Sequence, residues 1–213
     1  MTYLDIVNKV LVRLRENQVG SLTENSYSTL IADLVNVVKR EIENAWDWHC
    51  LRTTLSATTT NGLFNYVLRG FGTTSRVLNV FNDTDNVIMR NMPSTWFDKQ
   101  FLLSTSQTGS PSFYSFNGVS QYGDAQVDVF PIPDKAYDLR FNIVMQQDDL
   151  TTASDTLLIN PNLLIEGVVS RALMERGEDG GSADQELRYR NMLADLIAIE
   201  AGHRPTETTW VAA

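Results

Sequence analysis

The chain has 213 residues, a formal net charge of −9 and a single cysteine. That length can bury one substantial core or two modest ones, and no apolar run approaches the ~20 residues of a membrane span. Cys50 alone excludes an intramolecular disulfide and points to a reducing compartment, while the acidic balance argues against phosphate-backbone binding as the main task.

The opening Met1-Thr2-Tyr3-Leu4-Asp5 has neither a basic segment nor an uninterrupted apolar stretch, so no secretory signal is expected. Tyr3 to Asn17 reads as a first helix with Leu4, Val7, Val10, Leu11 and Leu14 on one face. Gln18-Val19-Gly20 then turns the chain into a longer helix, Ser21 to Trp48. Ser21 and Glu24 have the spacing of a capping box. Tyr27, Leu30, Ile31, Leu34, Val35, Val38, Ile42, Ala45 and Trp46 follow at helical spacing. Such a helix would be roughly 40 Å long at about 1.5 Å per residue.

From Arg52 the pattern is β-branched and alternating. Asn61-Gly62 is a hairpin signal, because both central positions of a type I′ turn need positive φ. Leu63 to Leu68 would be the returning strand. Gly70-Phe71-Gly72 breaks it, and Arg76 to Phe81 and Val87 to Arg90 are expected as strands around the turn Asn82–Asn86. Pro93 suits the first turn of a short helix carrying Trp96, Phe97 and Phe101. Further strands are expected at Phe113 to Phe116, Gln126 to Phe130 and Tyr137 to Met145. Six or seven short strands with turns between them suggest a sandwich or small barrel rather than a parallel sheet.

The last third returns to helix. Asn160-Pro161 is a cap followed by proline at the first helical position. Leu164, Val168, Val169, Ala172 and Leu173 follow at helical spacing. Glu178-Asp179-Gly180-Gly181 is expected to break the helix, with Ser182 and Gln185 as a second capping box. Tyr189, Met192, Leu193, Leu196 and Ile199 form the next stripe, which Gly202 ends. His203 to Ala213, with Pro205, three threonines and Trp210-Val211, reads as an extended tail.

All nine phenylalanines lie between Phe64 and Phe141, and no glutamate occurs between Glu43 and Glu166. Aromatics favour strands and glutamate favours helices. The expected fold is therefore α+β, a helical bundle built from both chain ends with a central antiparallel β-rich insertion. The expected domains are 1–48 plus 151–202 (helical, discontinuous), 49–150 (β-rich) and 203–213 (tail).

Few residues in the sequence have the spacing that catalysis or metal binding requires. Gly70 and Gly72 lack the third glycine and the strand-to-helix setting of a dinucleotide site. His49 and Cys50 are adjacent, so in a strand they point to opposite faces and share neither a metal nor a nucleophile–base contact. Asp134, Asp138, Asp148 and Asp149 could supply a carboxylate pair for glycoside hydrolysis, but aspartate beside proline or in acidic loops is usually turn chemistry. No catalytic, cofactor-binding or metal site is expected, and the chain reads as a non-enzyme.

The opening Tyr3-Leu4-Asp5-Ile6-Val7-Asn8-Lys9-Val10-Leu11, then Val19-Gly20-Ser21-Leu22, Trp46-Asp47-Trp48 and Leu51-Arg52 carry a resemblance. So do Val127-Asp128-Val129-Phe130-Pro131-Ile132-Pro133-Asp134 and the apolar run Leu163 to Met174. Together they resemble the head-to-tail adaptor proteins of tailed bacteriophages, in particular the tail tubular protein A-like family of short-tailed phages. The resemblance implies a structural virion protein at the head–tail junction, present in the host cytoplasm before assembly. It would form a dodecameric ring below the portal protein, possess no membrane contact, extend the DNA channel without sequence-specific binding, and dock the tail or nozzle protein. The free chain is expected as a monomer. Partner contacts are assigned to His203, Arg204, Trp210 and Val211 of the tail and to Trp48 at the end of the long helix. Two other readings compete: a β-sandwich carbohydrate- or receptor-binding module of a phage tail, and a small hydrolase using the central aspartates.

Overall fold

The computed structural model describes residues 1–72, 74–102, 107–177 and 179–202. In chain order the described elements are α1 (Tyr3–Arg13), α2 (Ser26–Ala45), a 3-10 turn (His49–Leu51), β1 (Arg52–Thr58), β2 (Asn65–Leu68), β3 (Arg76–Asn82), β4 (Val87–Asn91), α3 (Ser94–Leu102), β5 (Phe113–Val119), β6 (Ala125–Phe130), β7 (Asp138–Val144), α4 (Pro161–Glu175) and α5 (Asp179–Gly202). The fold is α+β, and the chain divides into two compact units, Met1–Cys50 with Gln147–Ala213, and Leu51–Gln146.

In the first unit α1 is capped by Thr2 and Asp5, each side chain bonded to the other's backbone amide. It buries Tyr3, Ile6, Val7, Val10 and Leu11. It stops at Arg13, short of Asn17, where Arg15 takes a left-handed φ of 61°. The Asn8 side chain then bonds both the N–H and C=O of Val19, holding the following segment against the helix.

The long helix α2 begins later and ends earlier than its periodicity suggests. The capping box is Asn25 with Ser28 rather than Ser21 with Glu24. Glu24 instead accepts the Gly20 amide at 2.5 Å, which closes a separate turn before the helix. At the other end Trp46 is extended, with φ −154°. The Trp48 indole N–H folds back to donate to the Ile42 carbonyl at 2.6 Å, satisfying one of the helix's terminal acceptors. Twenty residues of helix span about 30 Å. His49 and Cys50 lie in the 3-10 turn, not in a strand.

Asn160 caps α4 as expected, its side chain accepting from Asn162 and Leu163, with Pro161 at the first helical position. The helix buries Leu163, Leu164, Ile165, Val168, Val169, Ser170 and Ala172, which occupy several faces, because α1, α2 and α5 all pack on it. The break before α5 falls at Gly177 with φ +68°, and Ser182 and Gln185 lie inside the helix rather than capping it. Gln185 Nε2 reaches the Glu166 carbonyl oxygen instead. Tyr189 is buried, Met192, Leu193 and Leu196 are half-buried, and Ile199 is exposed.

The second unit is one seven-stranded sheet in the order β1-β7-β3-β4-β5-β6-β2. It is mixed: β4 and β5 pair in parallel, and every other neighbour pair is antiparallel. The core carries Leu68, Val80, Val127, Val129, Leu139, Phe141 and Ile143, with Leu55, Ala57 and Tyr66 partly buried against it. The hairpin expected at Asn61-Gly62 is absent. Only Gly62 has positive φ, +78°, and Leu63 N–H bonds the Thr60 carbonyl, as in a type II turn. That turn does not carry the twist of a two-residue hairpin, so β1 pairs with β7 and β2 with β6. The hairpin β3–β4 forms as expected, with Asn86 at φ 57° in its turn. α3 packs on the sheet through Trp96, Phe97 and Phe101, whose rings meet Phe113 and Phe130 at 5.0–6.4 Å between centroids.

Candidate interaction surfaces

Three of the four candidate aspartates are tied into the fold, and Asp148 is exposed. Asp134 accepts the Tyr137 hydroxyl at 2.6 Å, and Asp138 accepts from Thr58 Oγ1 at 2.8 Å. Arg40 grips Asp149 with two guanidinium nitrogens and holds its carboxyl below the usual carboxylate range. These are turn and clamp contacts, not a carboxylate pair across a cleft. Asp128, the one buried aspartate among the described residues, is held between the side-chain amides of Asn65 and Asn117 at 2.5 and 2.9 Å. Gly70 has φ +82° and donates its amide to Asp124, so the Gly70–Gly72 pair serves a turn. Burial and the neighbouring Glu200 push the Cys50 thiol up, away from nucleophilic character. No group of three or more metal-ligating side chains forms among the described residues.

One arrangement escaped the sequence. Lys39 and Glu43 are four apart on α2, a spacing that normally marks a solvated pair. Here both side chains are fully buried, with Nζ 3.3 Å from each carboxylate oxygen and 2.5 Å from the Gln147 carbonyl oxygen. One turn earlier Asn36 exchanges two hydrogen bonds with the Leu150 backbone and donates to the Tyr3 hydroxyl. A polar seam thus fastens Gln147–Leu150 to α2. No local pattern announces it, because its partners are over a hundred residues apart.

Of the expected partner residues, Trp48 is only 6% exposed, with its indole N–H bonded to Ile42. His203, Arg204, Trp210 and Val211, with the rest of the tail 203–213, lie outside the described residues. Exposed apolar side chains in the second unit include Leu63, Phe64 and Val67 on and around β2, and others on β4, α3 and β5 such as Ile88, Leu102 and Val119. Tyr122, 83% exposed, shares with Val67 and Arg69 the lining of a cavity of about 620 Å³. Among the described residues no helix is long and apolar enough to cross a membrane.

No curated protein matches the chain. A family model described as SU10 adaptor protein matches residues 1–210. The chain therefore belongs to the SU10 adaptor protein family, a family of phage head-to-tail adaptors.

Proposed function

We propose that this adaptor is the repeating subunit of a dodecameric ring below the portal, which continues the DNA channel and presents a docking surface to the tail or nozzle protein. The observation that carries the reading is the family match over residues 1–210, which makes the chain a phage adaptor with portal and tail proteins as its partners. In this reading the helices of both ends act as one bundle. The packing of α4 against α1 and α2 supports that arrangement. Residues 151–213 carry five basic and ten acidic side chains. An acidic channel wall repels phosphates and lets a duplex slide, whereas a basic wall would hold it.

The partner contacts belong to His203, Arg204, Trp210 and Val211, with Trp48 contributing through the helix end that it fixes. A tryptophan seated in a partner pocket is a common hot spot, worth roughly 2 kcal/mol or more on truncation. The test is the mass of the purified protein alone and after mixing with a purified portal ring. A monomer alone and twelve copies on the ring are expected. Failure to associate with the ring overturns the reading.

A further inference from the structure

The sheet of the β-rich unit ends in two open edges that face one opening. Its order begins at β1 and finishes at β2, and both strands line one cavity of about 320 Å³. The turn Thr60–Leu63 joins them at one end. Eight strands make a barrel whose interior side chains just fill, and this sheet has seven.

Register fixes what the edges offer. Met145 N–H bonds the Leu51 carbonyl, and the β1–β7 pairing continues unbroken from Arg52 opposite Val144. Antiparallel alternation then turns the backbone N–H and C=O of Thr54 and Ser56 toward the open side. Val129 N–H bonds the Phe64 carbonyl, and the β2–β6 register likewise turns those of Asn65 and Val67 outward. Edge strands are normally blunted by proline, lysine or a bulge. Neither β1 nor β2 contains proline or lysine, and neither has a register shift against its neighbour. Below the opening, Leu55, Ala57 and Tyr66 are only partly buried.

We propose that this opening receives residues 203–213 of a second copy of the chain as an eighth strand, running parallel to β1 and antiparallel to β2. The proposal rests on the ring reading, which brings copies side by side. The eleven residues follow the last turn of α5 at Gly202. Extended, they reach about 36 Å at ~3.3 Å per residue, enough to leave their own copy. After Pro205 the segment is rich in strand formers, Thr206, Thr208, Thr209, Trp210 and Val211.

Side-chain alternation sets the direction. Thr206, Thr208 and Trp210 share one face, and Glu207, Thr209 and Val211 the other. With Trp210 turned inward, the indole covers Leu55, Ala57 and Tyr66. Glu207 then faces outward, as do the exposed Arg52 and Arg69, which stand at the end of the opening away from the turn. Entry from that end pairs the tail's one carboxylate side chain with these two guanidinium groups and carries Trp210 three residues deeper.

A labelled peptide of residues 203–213 titrated into the full-length protein, followed by anisotropy, tests the fit. Saturable binding is expected, weakened about tenfold or more by Trp210→Ala in the peptide or Val67→Pro in the protein. If Val67→Pro lowers the melting temperature, Ser56→Pro removes a donor from the opposite edge and serves the same purpose. Absent or non-saturable binding, or binding indifferent to the edge variants, overturns the proposal. In a Cys50→Ser background, chains with Thr54→Cys mixed with chains with Thr209→Cys should give mixed disulfide dimers by intact mass. No cross-link between copies, or only an intrachain bond when both cysteines are in one chain, also overturns it. Neither measurement uses the portal, so a failure of portal binding counts against the ring reading separately.

Discussion

Lys39 Nζ stands 3.3 Å from both carboxylate oxygens of Glu43, and neither side chain reaches solvent. The Gln147 carbonyl takes a further bond from the amine. A buried pair of this kind adds little net stability over an apolar replacement, yet losing one partner strands the other charge. Lys39→Met should therefore cost about 3–5 kcal/mol. Adding Glu43→Leu should recover much of that loss. Urea unfolding of the two single variants and the double variant measures the coupling, and simple additivity would contradict a shared buried site.

The same carboxylate gives a pH signature. Burial pushes Glu43 up from its ordinary 4.5, with attraction and hydrogen bonding from Lys39 and the Gln147 amide pulling the other way. A carboxyl raised in the folded state binds its proton more readily folded than unfolded, so its contribution worsens as pH climbs from the unfolded value through the folded one. Wild-type stability relative to Glu43→Gln should thus decline as pH rises from 4.5. Thermal melts of both proteins from about pH 4 to 8 read this difference. A difference that stays flat, or moves in favour of the wild type, refutes the sign.

Local chemistry was legible where it decides alone. Asn160-Pro161 caps α4 because cap and proline need only the next three residues, and Asn82–Asn86 turns because its flanking strands are each other's partners. Asn61-Gly62 misled for the opposite reason. Its strands find better partners in β7 and β6, and the turn relaxes to one positive φ. Ser21 lost the cap to Asn25 because Ser28 could return the bond, and Glu24 found the Gly20 amide. Lys39 was invisible as a core residue, since only the return of Gln147 one hundred and eight positions later buries it. The site residues of the tail rest on sequence alone.

Gly167 has the tightest surroundings of the described glycines in the helical unit. A Cβ there would lie 2.7 Å from Val38 Cγ1 and 2.9 Å from the Tyr189 ring. Alanine would gain up to about 1 kcal/mol of helix propensity, but overpacking costs about 1–3 kcal/mol. Both neighbours are fully or nearly fully buried, which leaves them little room to move. Gly167→Ala should come out destabilised by about 1–2 kcal/mol, and Gly167→Ala with Val38→Ala should cost less than the two single changes summed, because the smaller side chain relieves the clash. A more stable single variant in chemical unfolding would show that the three helices separate readily.

If the helices of both ends form one self-sufficient bundle, a chain joining residue 49 to residue 150 through a short flexible linker should keep it. The bond from Tyr3 N–H to the Asp155 carbonyl survives that excision, as do those from Arg13 to Glu166 and Arg176 to Glu16. Retaining Gln147–Asp149 as well preserves the Lys39 contact, so a second chain joined at 50 and 147 should melt higher. Circular dichroism should show helix in both and a cooperative transition. Outright unfolding of the two would mean that the ends depend on the β-rich unit.

Residues 203–213 carry no helical apolar stripe, and their only large apolar side chains are Trp210 and Val211. A polar segment of this kind meets its ordering entropy at the moment it binds, which suits a late step of assembly. Deleting it should leave the free protein folded with little change in melting temperature. In particles, the same deletion should loosen the contacts between neighbouring subunits, and through them the ring's attachment to the portal, so that packaged heads leak DNA. Trp210→Ala should reproduce most of that defect, because an indole anchor is worth roughly 2 kcal/mol or more in a seated interface. Amide exchange should be fast across 203–213 in the free chain and slow in the assembled ring, with protection centred on Trp210. Tight heads and normal tails from the truncated protein would show that the anchor lies elsewhere, since no other part of the adaptor is altered by the deletion.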